Sequence, residues 1–149
     1  MSTLSYHNYQ GYGEWAKGAL HYSQAVRVGK DIIEASGQGG WDPNTKDLTG
    51  TMDISTDLAT QIEQAFSNVD LALRTAGGKG WEQVYKVRTY YVSEPGTVII
   101  PEEVMKLLTD GLRKWAPNHQ PIWTALGVAA LTLPNMRIEI EVKAYDHQS

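Results

Sequence analysis

A strictly alternating segment near the end of the chain, residues 136–144, constrains the fold more than any other feature. Its apolar residues fall on one side of an extended strand and its charged residues on the other: Met136, Ile138, Ile140, Val142 and Ala144 against Arg137, Glu139, Glu141 and Lys143. Successive side chains of a strand point to opposite faces of its sheet. The pattern therefore predicts a strand with one face in the core. The charged face is either a solvated surface or the charged wall of a cleft.

Two amphipathic helices are predicted in the middle of the chain. Apolar residues recur at helical spacing over residues 56–76, where Ser55 is the expected N-cap and the glycine pair at 77–78 ends the helix. A second helix is expected to begin near Pro101, because acidic residues occupy its first turn and basic residues its last. Both helices present one apolar stripe, as helices that cover a sheet do.

Runs that favour β-structure flank these helices. Residues 22–28 and 32–37 are separated by a Gly-Lys turn at 29–30, which predicts a hairpin in which glycine supplies the positive φ. Residues 83–92 and 124–131 predict further strands. The resulting order is β-β-α-β-α-β-β. This order predicts an α+β sandwich of two layers, in which a mixed sheet carries two helices on one face.

Two segments are expected to be irregular. Residues 1–20 are rich in tyrosine and glycine and show no regular period, which predicts an irregular aromatic arm. Its aromatic residues either cover an edge of the core or contact a ligand. Gly37, Gly39 and Gly40 are expected in a loop, where glycine permits close approach of the backbone to a ligand or to another chain. Their spacing does not match a dinucleotide-binding motif.

Composition narrows the function classes. The 149 residues fit a single domain, and 13 basic against 17 acidic residues give a net charge of -4. Without an overall basic field, nucleic acid is not expected as a partner. The chain has no cysteine, which excludes thiol catalysis, and its four histidines lack the spacing of metal ligands. No secretory signal or membrane span is visible, so a cytoplasmic location is expected, with organellar import left open.

Glu139 and Glu141 lie on the same face of the alternating strand. Two carboxylates at this spacing are able to do acid and base chemistry together. They also alternate with Arg137 and Lys143, and such a row forms a solvated or intersubunit charge ladder. From the residues alone the charge ladder is the favoured interpretation.

Several motifs occur in the order and at the separations of one known family. They are HYSQAV at 21–26, EASGQ at 34–38, the helix end QAFSNVDLALRTAGG, the strand VYKVRTYYV, P-x-x-T-x-x-G-V at 121–128 and IEIEV at 138–142. Over roughly residues 20–145 the chain resembles the Rid proteins, the YjgF type of reactive intermediate deaminases, formerly also labelled L-PSP endoribonucleases.

The resemblance implies a chorismate-mutase-like α+β subunit in a homotrimer, with clefts between neighbouring subunits. It also implies hydrolysis of small enamines or imines to keto acids and ammonia, with no metal or cofactor. In the family pattern the catalytic positions match Tyr22 and Glu139, and Ser36 with Gly37 match the substrate pocket. Glu139 would activate a water, Tyr22 would hydrogen-bond the substrate, and backbone groups near Gly37 would complete the pocket.

One departure from the family pattern changes the expected substrate. Trp123 stands where archetypal members carry the arginine that grips the substrate carboxylate, and Ala125 replaces a nearby cysteine. Indole has one N–H and no charge, so it does not replace a guanidinium fork. Either Trp123, beside Thr124, forms a stacking wall for a less acidic, flatter or more aromatic substrate, or it fills the cleft of a protein that no longer catalyses.

One possible compensation for that departure and two alternative functions remain open. Arg88, Arg137 or Lys143 could return a cation to the site from another direction. The first alternative to the enzyme is a non-catalytic protein that binds a small molecule or a partner on the same trimeric fold. An endoribonuclease is the least favoured reading, because the chain is acidic and shows no histidine pair or metal cluster.

Overall fold

The computed structural model describes residues 2–45 and 53–147, which form one six-stranded sheet with three helices. In chain order the elements are β1 (Leu4–His7), α1 (Tyr12–Leu20), β2 (Ala25–Val28), β3 (Ile32–Gly39), α2 (Leu58–Thr75), a 3-10 turn (Gly80–Gln83), β4 (Val84–Val92), α3 (Glu102–Trp115), β5 (Ile122–Val128) and β6 (Ile138–Tyr145). The strand order is β1-β2-β3-β6-β4-β5. All neighbours are antiparallel except β4 and β5, so the sheet is mixed. The predicted α+β class is confirmed.

The apolar face of β6 lies in the centre of the core. Ile138 and Ile140 are fully buried, and Val142 and Ala144 are nearly so, as the alternation predicts. Helix α2 packs on β3 and β6, and α3 packs on α2. Gly111 of α3 permits this packing, because a Cβ there would lie 2.3 Å from the ring of Phe66. The helical layer therefore covers one face of the sheet, and the charged residues of β6 lie on the other.

The predicted hairpin and helices are present, with small corrections at their ends. Gly29 has φ of 65° in the turn between β2 and β3. Helix α2 is capped by Asp57, whose carboxylate accepts from the Thr60 amide, and not by Ser55. The Ser55 hydroxyl accepts from the Asp57 amide one turn earlier, at 3.2 Å. The β5 strand begins two residues before the predicted segment 124–131 and ends at Val128.

The prediction of an irregular arm at residues 1–20 is wrong. β1 pairs with β2 as an edge strand, and α1 follows Gly11, whose φ is 75°. Helix α1 buries Tyr12 and Ala16 and adds a third helix to the two predicted. A four-residue strand and a nine-residue helix are each too short for a hydrophobic period to show clearly in the sequence.

The prediction that Gly37 and Gly39 lie in a loop is also wrong, because both residues belong to β3. The strand bulges between Ala35 and Gln38 where it pairs with β6. The predicted close approaches do occur, but to side chains of the same domain. A Cβ at Gly39 would lie 2.6 Å from the methyl of Met136. The glycines therefore let a strand pass tightly against its neighbours.

Two buried amides of α2 tie the helix to the strand ends. Gln61 donates from Nε2 to the carbonyls of Ser55 and Asn135, at 2.9 and 3.1 Å. Its Oε1 accepts from the amides of Arg137 and Ile138, at 2.6 and 3.2 Å. One side chain therefore fixes the start of β6 by satisfying four backbone groups.

Asn68 does the same for the end of β3. Its Nδ2 donates to the carbonyls of Gly39 and Trp41, both at 2.8 Å. Neither this residue nor Gln61 belongs to the apolar stripe that predicted the helix.

Within the described residues, no helix is long and apolar enough to cross a membrane.

Candidate active site

A pocket of about 360 Å³ lies where the charged face of β6 meets α1 and the bulge of β3. It is lined by Tyr12, Trp15, Leu20, Tyr22, Ser36, Gly37, Trp41, Thr132, Leu133, Met136, Glu139 and Glu141. Four of the six predicted site residues are among these: Tyr22, Ser36, Gly37 and Glu139. These four residues come from three separate segments of the chain, which meet at the pocket.

Glu139, the second residue of β6, is half-buried in the pocket wall. It lies against Gly37, where an added Cβ would be 2.2 Å from the carboxylate Oε1. Burial raises the pKa of the Glu139 carboxyl, and the nearby charge of Glu141 raises it further. Such a shift brings a carboxyl closer to the pH at which it both accepts and donates a proton.

Two tyrosine hydroxyls meet beside this carboxyl. The Tyr12 and Tyr22 hydroxyl oxygens are 2.8 Å apart, and either hydroxyl is able to donate. The ring of Tyr12 stacks on Trp41 with a centroid distance of 4.2 Å and an interplanar angle of 28°. Burial, reinforced by the hydrogen bond with Tyr22, raises the pKa of Tyr12. Tyr12 therefore stays neutral and holds the Tyr22 hydroxyl at the pocket.

Ser36 is held by its backbone surroundings. Its hydroxyl donates to the Ser23 carbonyl at 2.7 Å, and its amide donates to the Gln24 carbonyl at 2.8 Å. Gln38 Nε2 donates to the Ser36 carbonyl at 3.1 Å. These bonds fix the β3 bulge, so Ser36 offers the pocket only the lone pairs of its hydroxyl oxygen.

The sequence left open whether the aromatic residues of the first segment contact a ligand, and in the structure two of them line the pocket beside Trp41. Tyr12 and Trp15 come from α1, and Trp41 follows β3. The rings of Tyr12 and Trp15 are tilted, with centroids 5.8 Å apart. The available signal was the spacing of Tyr12, Trp15 and Ala16, which places all three on one side of a helix. It was hidden by the surrounding glycines.

Trp123 and Thr124 lie outside the pocket of the same chain. In the parallel pairing of β4 with β5, Trp123 is opposite Val87, so it shares the face of the helical layer. Its indole N–H donates to the Thr89 hydroxyl at 3.0 Å. Thr124 is opposite Arg88 and takes the other face, the one that carries Glu141.

Each of the three candidate cations forms an ion pair with an acidic residue other than Glu139. Arg88 lies 3.5 Å from Glu141, and Lys143 lies 2.9 Å from Glu34. Arg137 lies 3.0 Å from Glu94 and also donates to the Tyr91 hydroxyl. None of the three cations is among the pocket-lining residues in the described part of the chain. The same described residues contain no cluster of three or more potential metal ligands.

The raised pKa of Glu139 predicts a pH-dependent stability difference for Glu139→Gln. A carboxyl with a raised folded-state pKa binds its proton more tightly in the folded state, so its ionisation opposes folding. The variant should therefore match the wild type near pH 4 and exceed it by roughly 1 to 3 °C in Tm at pH 8. Thermal unfolding followed by circular dichroism across this range measures the difference.

Glu141→Gln is the matched control for that measurement. The groups that face Glu139 are Glu141 on the same strand, Tyr12 of α1, Tyr22, and the Tyr90–Arg88 side of β4. Glu141 already accepts from Tyr90 at 2.9 Å and pairs with Arg88, so its replacement should give no gain at pH 8. A constant Tm difference for Glu139→Gln at every pH would contradict the assigned direction of the pKa shift.

Known proteins share this fold. The family described as Endoribonuclease L-PSP matches residues 16–146. Yeast Mmf1 has a TM-score of 0.71 at 23% identity, over 97% of this chain and 100% of its own. A YjgF/YER057c/UK114 family member from Mycobacterium tuberculosis has a TM-score of 0.68 at 22% identity, over 95% and 98%. A putative endoribonuclease from Thermotoga maritima has a TM-score of 0.65 at 26% identity, over 85% of this chain and 87% of its own.

No curated protein sequence matches the chain. The family match nevertheless spans residues 16–146, nearly the whole described chain, and the similar structures cover 85 to 97% of it. The resemblance inferred from the motifs is confirmed. The chain belongs to the L-PSP endoribonuclease family, the family of the Rid and YjgF proteins.

Proposed function

We propose that this protein is an imine or enamine hydrolase that releases ammonia from a ring-bearing small molecule in the pocket at Glu139. The observation that carries the proposal is the state of this carboxyl. The Glu139 carboxylate has no hydrogen-bond or ion-pair partner among the described residues, its pKa is raised, and it lies in the pocket wall in the space that the absent side chain of Gly37 leaves. An unpaired carboxyl beside a cavity is suited to hold and activate water.

The proposed reaction adds one water to a carbon–nitrogen double bond. Glu139 takes a proton from the water while the water oxygen bonds to the imine carbon. The carboxyl then passes that proton to the nitrogen. The product of this addition is a carbinolamine. Its hydroxyl proton then passes through Glu139 to the nitrogen while the carbon–nitrogen bond breaks, so ammonia leaves and a carbonyl product remains. An enamine is first protonated on carbon and loses a proton from nitrogen to give the same imine. The Tyr22 hydroxyl, held by Tyr12 at 2.8 Å, orients the substrate.

We also propose that the active form is a homotrimer. The uncovered face of edge strand β5 carries Ile122, which is 64% exposed, and Leu126, which is 37% exposed. Burial of such side chains favours association. Thr124 lies on the same face, so packing this face against a neighbouring copy would bring Thr124 into the contact. Sedimentation equilibrium should give three times the mass of one chain, and a monomer at micromolar concentration would contradict this assembly.

The test of the activity uses imines made in place by amine and amino-acid oxidases. Semicarbazide traps the free imine, so a hydrolase lowers the rate of semicarbazone formation and raises the rate of ammonia release. We expect acceleration proportional to protein concentration and saturable in imine. Saturable binding without acceleration across a set of aliphatic and aromatic imines would instead support the non-catalytic binder.

Endoribonuclease activity has no support from the pocket chemistry. Glu139 and Glu141 line it, and no lysine or arginine does so among the described residues. Two carboxylates repel a phosphate backbone. RNA cleavage that persists at constant specific activity through repeated purification, and is lost in Glu139→Gln, would overturn this view.

Gly37→Ala should damage the site much more than the fold. The new Cβ would lie 2.2 Å from Glu139 Oε1 and 2.7 Å from its carboxyl carbon, so the glutamate must turn away. A displaced catalytic group lowers the rate strongly, and we expect turnover to fall about tenfold or more. The Tm should fall by less than about 5 °C, because the end of a glutamate side chain moves easily.

Gly18→Ala is the control for that substitution. Gly18 lies in α1, and a Cβ there meets nothing within 4 Å. Its turnover should equal that of the wild type, and its Tm should stay level or rise slightly because alanine favours helix. Unchanged turnover in Gly37→Ala would contradict the placement of Glu139 at the reacting atoms.

A further inference from the structure

The pocket is negatively charged, and one of its two carboxylates has no basic side chain paired with it. Glu139 and Glu141 both line the pocket, and the described residues around it include no basic side chain. Arg88 neutralises only Glu141, from the exposed side of the sheet, at 3.5 Å. Glu139 therefore faces the cavity without a counter-charge. A ligand with its own carboxylate would meet repulsion here, whereas a ligand cation would find a partner.

The opposite side of the pocket is apolar and aromatic. Trp15 is half-buried, so part of its ring is open to the cavity, and Leu20 and Leu133 extend the same wall. Tyr12 and Trp41 are almost fully buried and support the wall from behind. An indole face attracts both a flat ring and a cation. The pocket thus offers one anionic site and one ring site within about 360 Å³.

From this arrangement we infer that the pocket selects an organic monocation in which a ring is joined by a short chain to a protonated amine or iminium nitrogen. The nitrogen lies at Glu139 and the ring lies on Trp15. The inference rests on the proposed function and gives its substrate class: the iminium derived from an arylalkyl amine, without a carboxylate. The reaction that supplies such a species is the two-electron oxidation of a primary amine, and the product is an aldehyde.

The test compares three probes of one shape and different charge by isothermal titration calorimetry at pH 7.5. The probes are 2-phenylethylamine, 2-phenylethanol and 3-phenylpropionate. We expect the amine to bind about tenfold tighter than the alcohol, and the acid to bind no better than the alcohol. Equal affinities for amine and acid, or no binding of the amine at millimolar concentration, would overturn the inference.

Matched variants assign the preference to its residues. Glu139→Gln should bring the amine to within about twofold of the alcohol without weakening the alcohol, because only the charge is removed. Glu103→Gln changes the net charge equally at an exposed site in the first turn of α3 and should leave the preference intact. Trp15→Leu should weaken the amine and the alcohol together. An amine preference that survives in Glu139→Gln would contradict the assignment.

This experiment separates the two proposals because it measures binding without turnover. If no imine is hydrolysed but the amine binds preferentially through Glu139, the proposed reaction fails and the cation site stands. If imines derived from amino acids are hydrolysed as fast as those derived from arylalkyl amines, the reaction stands and the substrate class fails.

Discussion

Glu139→Gln is expected to lower kcat for imine hydrolysis by about 10²- to 10⁴-fold, the range typical for loss of a general acid–base. Glutamine keeps the size of the side chain and its hydrogen-bonding oxygen, but it does not accept a proton from water. The carboxyl is the proton carrier in both halves of the proposed reaction, since it first accepts from water and then donates to nitrogen. Steady-state rates and ammonia release at pH 7.5 measure the loss.

The comparison with Glu141→Gln makes that result specific. Glu141 lies two residues further along β6 and also lines the pocket, but its carboxylate is engaged by Tyr90 and Arg88. Its replacement should lower kcat by less than about tenfold. The Tm of Glu139→Gln should not fall at neutral pH, so unfolding does not explain an inactive variant. Equal losses in the two variants would contradict the role given to Glu139.

Gln61→Leu is expected to lower the free energy of unfolding by about 3 kcal/mol, because an apolar side chain leaves buried backbone groups without partners. Gln61 is fully buried and makes hydrogen bonds with four backbone groups, of which those of Asn135, Arg137 and Ile138 lead into β6. For a chain of this length the Tm should fall by roughly 6 to 12 °C. Urea unfolding gives the free energy directly.

Gln64→Leu provides the comparison on the same helix. Gln64 is half-buried and its amide donates only to Asn68 Oδ1, at 2.9 Å, among the bonds of the described residues. Its replacement should cost less than about 1 kcal/mol. Because Gln61 sets the entry to the strand that carries Glu139, its loss should also lower turnover at temperatures where the variant is still folded. Equal stability of the two variants would contradict the role of Gln61 as an anchor of β6.

The parts of the fold that the sequence predicts are those with long, clean periods. The alternation of β6 and the apolar stripe of α2 extend over enough residues for burial on one face to leave a clear pattern. The first 20 residues lack such a pattern. β1 and α1 are stabilised by pairing with β2 and by stacking on Trp41, and these are tertiary contacts that no local period records.

The alternating pattern of β6 does not predict which of its charged residues lines the pocket and which forms ion pairs. Both interpretations of its charges describe part of the structure. Glu141 and Lys143 belong to a ladder of ion pairs with neighbouring strands, whereas Glu139 lies in the pocket wall. The residues look alike in the sequence because their difference comes from α1 and the β3 bulge, which cover only one end of the strand. The resemblance to a family, and not the period, singled out Glu139.

Trp123 illustrates a second limit. Its position was predicted from the family motif, but its direction depends on how β5 pairs with β4. The parallel register places it beside Thr89, on the face of the helical layer, and gives its indole N–H to that hydroxyl. The aromatic character inferred for the site therefore comes, within one chain, from Trp15, Tyr12 and Trp41.

The stacking of α1 on Trp41 has a consequence for the order of folding. The pocket joins residues from the beginning of the chain to residues near its end, so its walls meet only after a large loop has closed. Contacts between segments distant in sequence cost much chain entropy and form late. Tyr12 and Trp41 belong to the same buried cluster as Phe66 and Ile140, so this wall is completed together with the interior. A newly made chain would thus gain its recognition surface only when its last strand has docked.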